Sequence, residues 1–215
     1  MILMAIVNLK EKVIQIKIVY YGPGRSGKTT NLEYIFNRLQ SQKEQNTSKL
    51  VSIDTKGDRT LFFDFFPVNL GKINGFDLKL QLYTTPGQVK YESTRRLVLK
   101  GVDGIVFVAD SLSSRQDANI DSFENLKNNL SYHNISLSDV KMIFQWNKRD
   151  LQEQNIPLTD IEQMETSLNS ELQTQSFPAS AVSGTNVFKT VNYIAKQTVE
   201  KVIDMSVVNQ KQRPN

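Results

Sequence analysis

A glycine-rich stretch near the start of the chain joins an apolar run to a run with helical spacing. Residues 22–31 read GPGRSGKTTN, follow VIQIKIVYY and precede LEYIFNRL. The β-branched composition of the first flanking run predicts a buried strand, and the apolar spacing of the second predicts an amphipathic helix. A strand that passes into a helix through so tight a turn is typical of α/β folds, with the turn at the carboxyl end of a parallel strand.

The rest of the chain alternates strand-like runs with amphipathic helical runs. GIVFVAD at 104–110 and KMIFQWN at 141–147 predict strands that are covered on both faces, and FPAS ends a further short strand. LFFDFFPVNL and FDLKLQLYT are separated by GKINGF, in which Asn74 and Gly75 favour a tight hairpin turn between antiparallel neighbours. We expect an α/β fold with a mostly parallel central sheet, one antiparallel strand and helices on both faces.

We expect one domain over residues 1–205, closed by a long helix from 187 to 205. An extra N-terminal strand is expected over about residues 1–10, although the opening MILMAIV would also suit an arm that touches a membrane; it is too short to span one. Residues 206–215 are predicted to be a disordered tail, because this segment is polar and contains a proline.

Composition excludes several classes of function. The chain has 26 Lys and Arg against 22 Asp and Glu in 215 residues, and its basic residues are scattered, which disfavours a nucleic-acid partner. It has no cysteine, so disulfides, thiolate metal sites, thiol nucleophiles and lipidated cysteines are excluded. We therefore expect a cytoplasmic protein with no direct membrane anchor. The single histidine, His133, is expected to lie at the surface.

Residues 22–29 match the pattern G-x-x-x-x-G-K-T in the strand-turn-helix setting where it binds nucleoside triphosphates. The glycines let main-chain N–H groups point inward at phosphate oxygens, and the start of the helix adds its partial positive charge. Lys28 would supply a full charge to the outer phosphates, and the Thr29 hydroxyl is placed to bind Mg²⁺. The predicted phosphate-binding residues are Gly22, Gly24, Arg25, Ser26, Gly27, Lys28, Thr29, Thr30 and Gly87. Arg25 would either add its charge to the triphosphate or point outward to a partner.

The segment NKRD at 147–150, at the end of a predicted strand, indicates which base is bound. A carboxylate at Asp150 can accept hydrogen bonds from N1–H and the exocyclic amino group of guanine, whereas adenine offers an acceptor there and lacks that amino group. GTP and GDP are therefore predicted over ATP. The predicted guanine-binding residues are Asn147, Lys148, Asp150, Ser180, Ala181 and Val182. Of these, the segment 180–182 reads either as a loop whose backbone amide meets guanine O6 or as an ordinary loop.

Hydrolysis of a γ-phosphate needs a positioned water and positive charge more than covalent chemistry. Gln88 directly follows Pro86 and Gly87 and is predicted to be a catalytic residue that orients the attacking water. The Gly87 N–H would meet the γ-phosphate. Pro86 fixes its own φ and restricts Thr85, which stiffens the approach to this loop.

The glycine-rich turn, TPGQ at 85–88, NKRD and SAV occur in an order that resembles the Ras-like small GTPases. The longer segments IKIVYYGPGRSGKTTNLEYI, DRTLFFDFFP, LYTTPGQVKYESTRRLVLKGVDGIVFVADS and QWNKRDL are similar to the MglA-type bacterial gliding-motility GTPases, over about residues 7–202 and more weakly after Leu151. The resemblance implies a GTP-hydrolysing switch, monomeric on its own, that controls cell polarity or motility through effectors. It also implies recruitment to a cell pole by partners, and inactivation by a dimeric roadblock-fold, MglB-like GTPase-activating protein.

The resemblance assigns further residues. Arg59 resembles an arginine that the family supplies to the γ-phosphate from its own chain, although the sequence alone also fits a solvated loop charge. Thr60 resembles the switch threonine that joins Thr29 on Mg²⁺, and Asp64 would act on the metal through water. Thr84 departs from the Ras-type pattern, which has aspartate there, so Mg²⁺ would lose one carboxylate and intrinsic hydrolysis is expected to be slow.

Three functions fit the sequence: a GTP-hydrolysing switch, a nucleotide-gated binding module with negligible hydrolysis, and a P-loop ATPase. NKRD argues against the ATPase, while Gln88 and Arg59 favour the switch over the binding module. The apolar LFFDFFPV is either a strand buried on both faces or a segment that contacts partners after a shift.

Overall fold

The computed structural model describes residues 6–8, 10–42, 51–52, 64–73, 75–88 and 91–211. Its strands are β1 (Ile6–Asn8), β2 (Val13–Tyr21), β3 (Val51–Ser52), β4 (Asp64–Ile73), β5 (Phe76–Thr84), β6 (Gly104–Asp110), β7 (Lys141–Asn147) and β8 (Ser176–Pro178). Its helices are α1 (Lys28–Gln42), α2 (Glu92–Leu99), α3 (Gln116–Tyr132), α4 (Ile161–Met164), which continues as a π-helical turn over Glu165–Asn169, and α5 (Val187–Lys211). The strands form one sheet in the order β3-β4-β5-β2-β6-β7-β8, and β1 pairs with β2 beside this path.

Five strands, β5, β2, β6, β7 and β8, run parallel to one another. The predicted β4–β5 hairpin is confirmed as antiparallel, with Gly75 in its turn at φ +83°. The expectation of a single antiparallel strand is wrong, because β1 also runs against the parallel strands. It can pair there because β6 meets β2 only from Ile18 onward, which leaves the edge of β2 at Val13–Gln15 open to β1.

Apolar side chains fill a layer on each face of the sheet. On one face, Ile18 of β2 packs with Leu32 of α1 and Ile194 of α5, and all three are fully buried. On the other face, Phe107 of β6 and Trp146 of β7 pack with helices α2 and α3. All seven residues of β6 are buried, as its uninterrupted apolar run predicts for a strand covered on both faces.

The elements end within a few residues of their predicted limits, and the largest difference is at the end of α5. Helix α5 continues to Lys211, six residues beyond the predicted end, because neither glycine nor proline interrupts the sequence before Pro214. The predicted disordered tail over 206–215 therefore overlaps the end of α5 at residues 206–211. Residues 1–5 and 212–215 lie outside the described residues, and the domain limits of 1–205 stay a prediction. None of the helices in the described part of the chain combines the length and apolar character of a membrane-spanning segment.

The fold brings several loops to one edge of the sheet. Strands β2, β6, β7 and β8 are parallel, so the turn after Tyr21, Asp110, Asn147 and the loop after Pro178 all lie at their carboxyl ends. Ligands of open α/β sheets bind in the crevice outside these ends.

Candidate functional site

The turn between β2 and α1 approaches two neighbouring strands so closely that two of its residues must be glycine. A Cβ at Gly22 (φ +143°) would lie 2.2 Å from the carbonyl oxygen of Val108 in β6. A Cβ at Gly27 (φ +96°) would lie 2.2 Å from Nδ2 of Asn147 in β7. Both glycines are therefore required by backbone conformation and by packing.

Lys28 is buried at the start of α1, where its Nζ donates to the carbonyl oxygens of Gly22 at 2.9 Å and Pro23 at 2.7 Å. A cleft of about 240 Å³ opens beside it. The cleft is lined by Arg25, Gly27, Lys28, Thr29 and Thr30 on one side and by Thr84, Thr85, Pro86 and Gly87 on the other. The structure thus brings together the two segments that were predicted to meet a phosphate group.

Two further residues of the turn have distinctive environments. Arg25 is exposed in the left-handed conformation, at φ +67°, on the rim of the cleft. The Ser26 hydroxyl is buried and finds no hydrogen-bond partner among the described residues. A buried, unsatisfied hydroxyl in an anion-binding turn fits a site that is completed by a ligand.

The loop after β5 packs directly on this turn. A Cβ at Gly87 would lie 2.3 Å from the main-chain nitrogen of Gly24 and 2.4 Å from its Cα, so Gly87 also has to be glycine. Gln88 follows as an exposed residue at the edge of the cleft. Its carbonyl oxygen accepts a hydrogen bond of 2.5 Å from Nη1 of Arg95, a buried residue of α2.

Asn147 joins the turn to the loop after β8. Its Nδ2 donates to the carbonyl oxygen of Ser26 at 2.6 Å, and its Oδ1 accepts from the main-chain N–H of Ala181 at 2.8 Å. Ser180 and Ala181 are buried, whereas Val182 is 78% exposed. The segments NKRD and SAV, far apart in the sequence, are therefore neighbours in the fold.

Lys148 and Asp150 flank this junction. Lys148 has a left-handed backbone (φ +70°), and its Nζ lies 2.6 Å from Oδ2 of Asp110, which is fully buried. Asp150 follows in a 3₁₀ turn over Arg149–Gln154 and is partly exposed.

Sequence reasoning missed two charged residues of the site. Asp110, at the end of β6, is the ion-pair partner of Lys148, and its position after an apolar strand could have indicated it. Arg115 Nη2 donates to the carbonyl oxygen of Gly24 at 2.9 Å, and its Nε lies 3.8 Å from Asp110. No local pattern marks Arg115, because it reaches the turn from 91 residues away.

Three further residues of the predicted site, Arg59, Thr60 and Asp64, belong to one segment of the chain. Arg59 and Thr60 lie outside the described residues. Asp64 is the first residue of β4, but its side chain lies outside the described part of the chain. His133 differs from expectation: it is half-buried at the end of α3, with its Nε2 2.7 Å from the carbonyl oxygen of Arg96 in α2.

The oxygen atoms of the cleft are suitable ligands for a Mg²⁺ ion that binds together with a nucleotide. The described residues contain no group of three or more His, Cys, Asp or Glu side chains that could hold a metal ion. Mg²⁺ at nucleotide sites takes most of its ligands from phosphates and water and only one or two from the protein. Thr29 lines the cleft with a hydroxyl, and Thr84 lies opposite as a buried residue.

Comparison with known proteins agrees with this geometry. The model of the Ras family matches residues 17–200. The chain is 51% identical over 147 residues to a protein of Myxococcus xanthus (strain DK1622) named Mutual gliding-motility protein MglA. The aligned region covers 68% of this chain and 74% of that protein. The chain therefore belongs to the Ras family, as an MglA-type Ras-like GTPase.

Proposed function

We propose that this chain is a guanine-nucleotide switch that binds GTP, hydrolyses it to GDP and thereby controls bacterial motility or polarity. The observation that carries the proposal is the double hydrogen bond of Asn147 to Ser26 and Ala181. It links the predicted phosphate-binding turn to the predicted base-binding loop. The two loops are thereby held at a fixed distance, as binding of the phosphates and the base of one nucleotide requires. The gliding-motility role is supported by the name of the M. xanthus relative.

The phosphates would be bound by the turn after β2. Its N–H groups and the Lys28 ammonium are the donors, and Arg25 adds charge from the rim. The phosphate-binding set is Gly22, Gly24, Arg25, Ser26, Gly27, Lys28, Thr29, Thr30 and Gly87. Mg²⁺, held by Thr29 and Thr60 and through water by Asp64, would neutralise charge on the phosphates.

The base would be bound by residues after β7 and β8. Asp150 would accept from the guanine N1–H and amino group, and Lys148 would cover the base from its Asp110-anchored position. A main-chain amide of the 180–182 segment would face O6. Asn147 holds these loops together and does not need to touch the base. ATP would leave the Asp150 carboxylate facing an acceptor, which costs about 1–3 kcal/mol.

Hydrolysis would be slow without a partner. Gln88 orients the attacking water, and Arg59 supplies charge to the γ-phosphate. Two observations support a low intrinsic rate: Gln88 is exposed, and Thr84 stands where a carboxylate would strengthen the metal site. A dimeric roadblock-fold, MglB-like protein would accelerate the step, and effectors would read the GTP form and recruit the cytoplasmic switch to a cell pole.

A single-turnover GTP assay with and without a roadblock-fold partner tests the proposal. We expect slow phosphate release alone and faster release with the partner. Gln88→Leu should slow both to a low residual rate, and the matched variant Gln163→Leu, at an exposed site on α4, should leave both unchanged. Absence of phosphate release in both conditions would contradict hydrolysis. Binding of GTP without turnover would then identify a nucleotide-gated binding module, the second candidate, which Thr84 favours.

A further inference from the structure

We infer that Arg95 is a positioning residue for hydrolysis, which fixes the main chain at Gln88 through a polar network that reaches α3 and the end of β2. The inference rests on the proposed function, in which Gln88 orients the attacking water. The hydrogen bonds that Arg95 makes to the described phosphate-site residues all go to this loop, so its effect should fall on rate more than on nucleotide affinity.

Arg95 binds the loop by its guanidinium group. Nη1 donates to the carbonyl oxygen of Gln88 at 2.5 Å and to that of Pro86 at 3.4 Å, so it holds both sides of Gly87. Nη2 donates to Oε2 of Glu92, one turn earlier on α2. Arg95 is only 5% exposed. The planar guanidinium can bind a carbonyl and a carboxylate at once, which an ammonium group cannot reproduce in one geometry.

Glu92 is held in turn by α3. Its Oε2 accepts from Nδ2 of Asn125 at 2.9 Å, and Asn125 Oδ1 accepts from the Tyr21 hydroxyl at 2.5 Å and from Asn129 Nδ2 at 3.1 Å. Tyr21 is the last residue of β2 and directly precedes Gly22. The network therefore runs from the start of the phosphate-binding turn to the carbonyl group of the predicted catalytic glutamine.

The protonation states needed for this network are favoured by its surroundings. Burial acts to raise the pKa of Glu92, but hydrogen bonds from Asn125 and Arg95 and the charges of Arg95 and Arg96 outweigh it, so this pKa is lowered. Burial raises the pKa of Tyr21, which keeps its hydroxyl protonated as a donor to Asn125. At neutral pH, Glu92 is thus an ionised acceptor that can hold the Arg95 guanidinium.

A fixed main chain matters because Gln88 is exposed. An exposed side chain samples many rotamers, and an anchored carbonyl limits where its amide can reach. Misplacement of a reacting group by about 1 Å costs up to about 100-fold in rate. Loss of the anchor should therefore slow hydrolysis while the phosphate and base contacts remain.

The test compares Arg95→Met and Glu92→Gln with the wild-type chain. We expect single-turnover GTP hydrolysis to slow by about 10- to 100-fold in each, while the Kd values for GTP and GDP change little. Two matched controls should hydrolyse at the wild-type rate: Arg38→Met, at an exposed position on α1, and Glu171→Gln, which removes a surface ion pair with Lys127. Glu92→Gln and Asn125→Ala carry the test if the buried Arg95 variant does not fold.

The same substitutions in a Gln88→Ala background separate positioning from general stability. Positioning predicts that Arg95→Met slows the wild type but not Gln88→Ala, because the group it positions is already gone. Equal slowing in both backgrounds, wild-type rates in the variants, or a parallel loss of GTP and GDP affinity would each overturn the inference. Absence of hydrolysis in the wild-type chain, alone and with a partner, would instead contradict the proposed function and the inference together.

Discussion

The side-chain amide of Asn147 donates to the Ser26 carbonyl oxygen at 2.6 Å and accepts from the main-chain N–H of Ala181 at 2.8 Å, and both hydrogen bonds are buried. One residue thus determines how far the phosphate-binding turn lies from the loop after β8. Glycine is required at position 27 because a Cβ there would collide with this amide.

Replacement of Asn147 by aspartate tests this link. The new carboxylate could still accept from Ala181 but would face the Ser26 carbonyl oxygen with no donor. We expect Kd for both GTP and GDP to rise by about 10- to 100-fold, which corresponds to about 1.4–3 kcal/mol. Isothermal titration measures this, with Asn128→Asp, at an exposed position on α3, as the matched control. Wild-type affinity in Asn147→Asp would show that the link is dispensable.

Gly184 tests the other side of the base loop. It has φ +82°, and a Cβ there would lie 1.9 Å from Cζ of Tyr34 in α1. Gly184→Ala should lower stability and weaken GDP binding, because either Tyr34 or the 180–184 loop must move. Gly101→Ala is the matched control, since Gly101 has φ +74° and open space around its Cβ position.

The control should show only the backbone cost, about 1 kcal/mol, with unchanged GDP affinity. Urea denaturation and GDP titration measure both quantities. Equal effects of the two substitutions on stability and affinity would mean that contact with Tyr34 does not position the loop.

Thr84 tests the metal site. Thr84→Asp would place a carboxylate at a buried position that lines the cleft. We expect the variant to bind Mg²⁺ more tightly in the presence of GTP and to hydrolyse GTP faster on its own. Without Mg²⁺ the variant should be less stable than the wild type, because a buried charge without a partner is costly. Thr84→Asn is the uncharged control. If both variants show the wild-type Mg²⁺ dependence and turnover, the missing carboxylate does not explain a slow rate.

Asp103, far from the site, predicts a pH dependence of stability. Burial raises the pKa of Asp103 from 3.8 to about 6. The Lys17 main-chain N–H, which donates to the carboxylate at 2.8 Å, and the charges of Lys17 and Lys201 lower this pKa, but burial outweighs them. Because the folded pKa is raised, the folded state binds the proton more tightly. The contribution of Asp103 to stability is therefore present below its ordinary pKa and is lost as pH rises through about 6.

The free energy of unfolding of the wild type minus that of Asp103→Asn should accordingly fall by about 2–3 kcal/mol between pH 4 and 7. Urea denaturation at several pH values measures it. Asp121→Asn, at an exposed position on α3, should follow the wild-type pH profile. Parallel profiles for Asp103→Asn and the wild type would contradict the prediction.

The sequence predicted those features that depend on neighbouring residues. The motif from Gly22 to Thr29 is complete within eight consecutive residues, so the strand, the turn and the helix around it could be predicted from the local sequence. Asn147 was recognised for the same reason, although its actual contacts, to Ser26 and Ala181, depend on the packing of three loops.

Features that depend on distant parts of the chain were missed. Arg95 and Arg115 each bind a carbonyl group of a loop, and a carbonyl group is present at every residue, so no sequence pattern marks such a partner. The second antiparallel strand escaped prediction because β1 pairs with an edge that exists only where β6 starts late along β2.

The most direct test of the account is isothermal titration of the purified chain with GTP, GDP and ATP in the presence of Mg²⁺. We expect micromolar or tighter binding of both guanine nucleotides, weaker binding of ATP by about 10-fold or more, and loss of binding in Lys28→Ala. Binding of ATP as tight as that of GTP, or no binding of any guanine nucleotide, would contradict it.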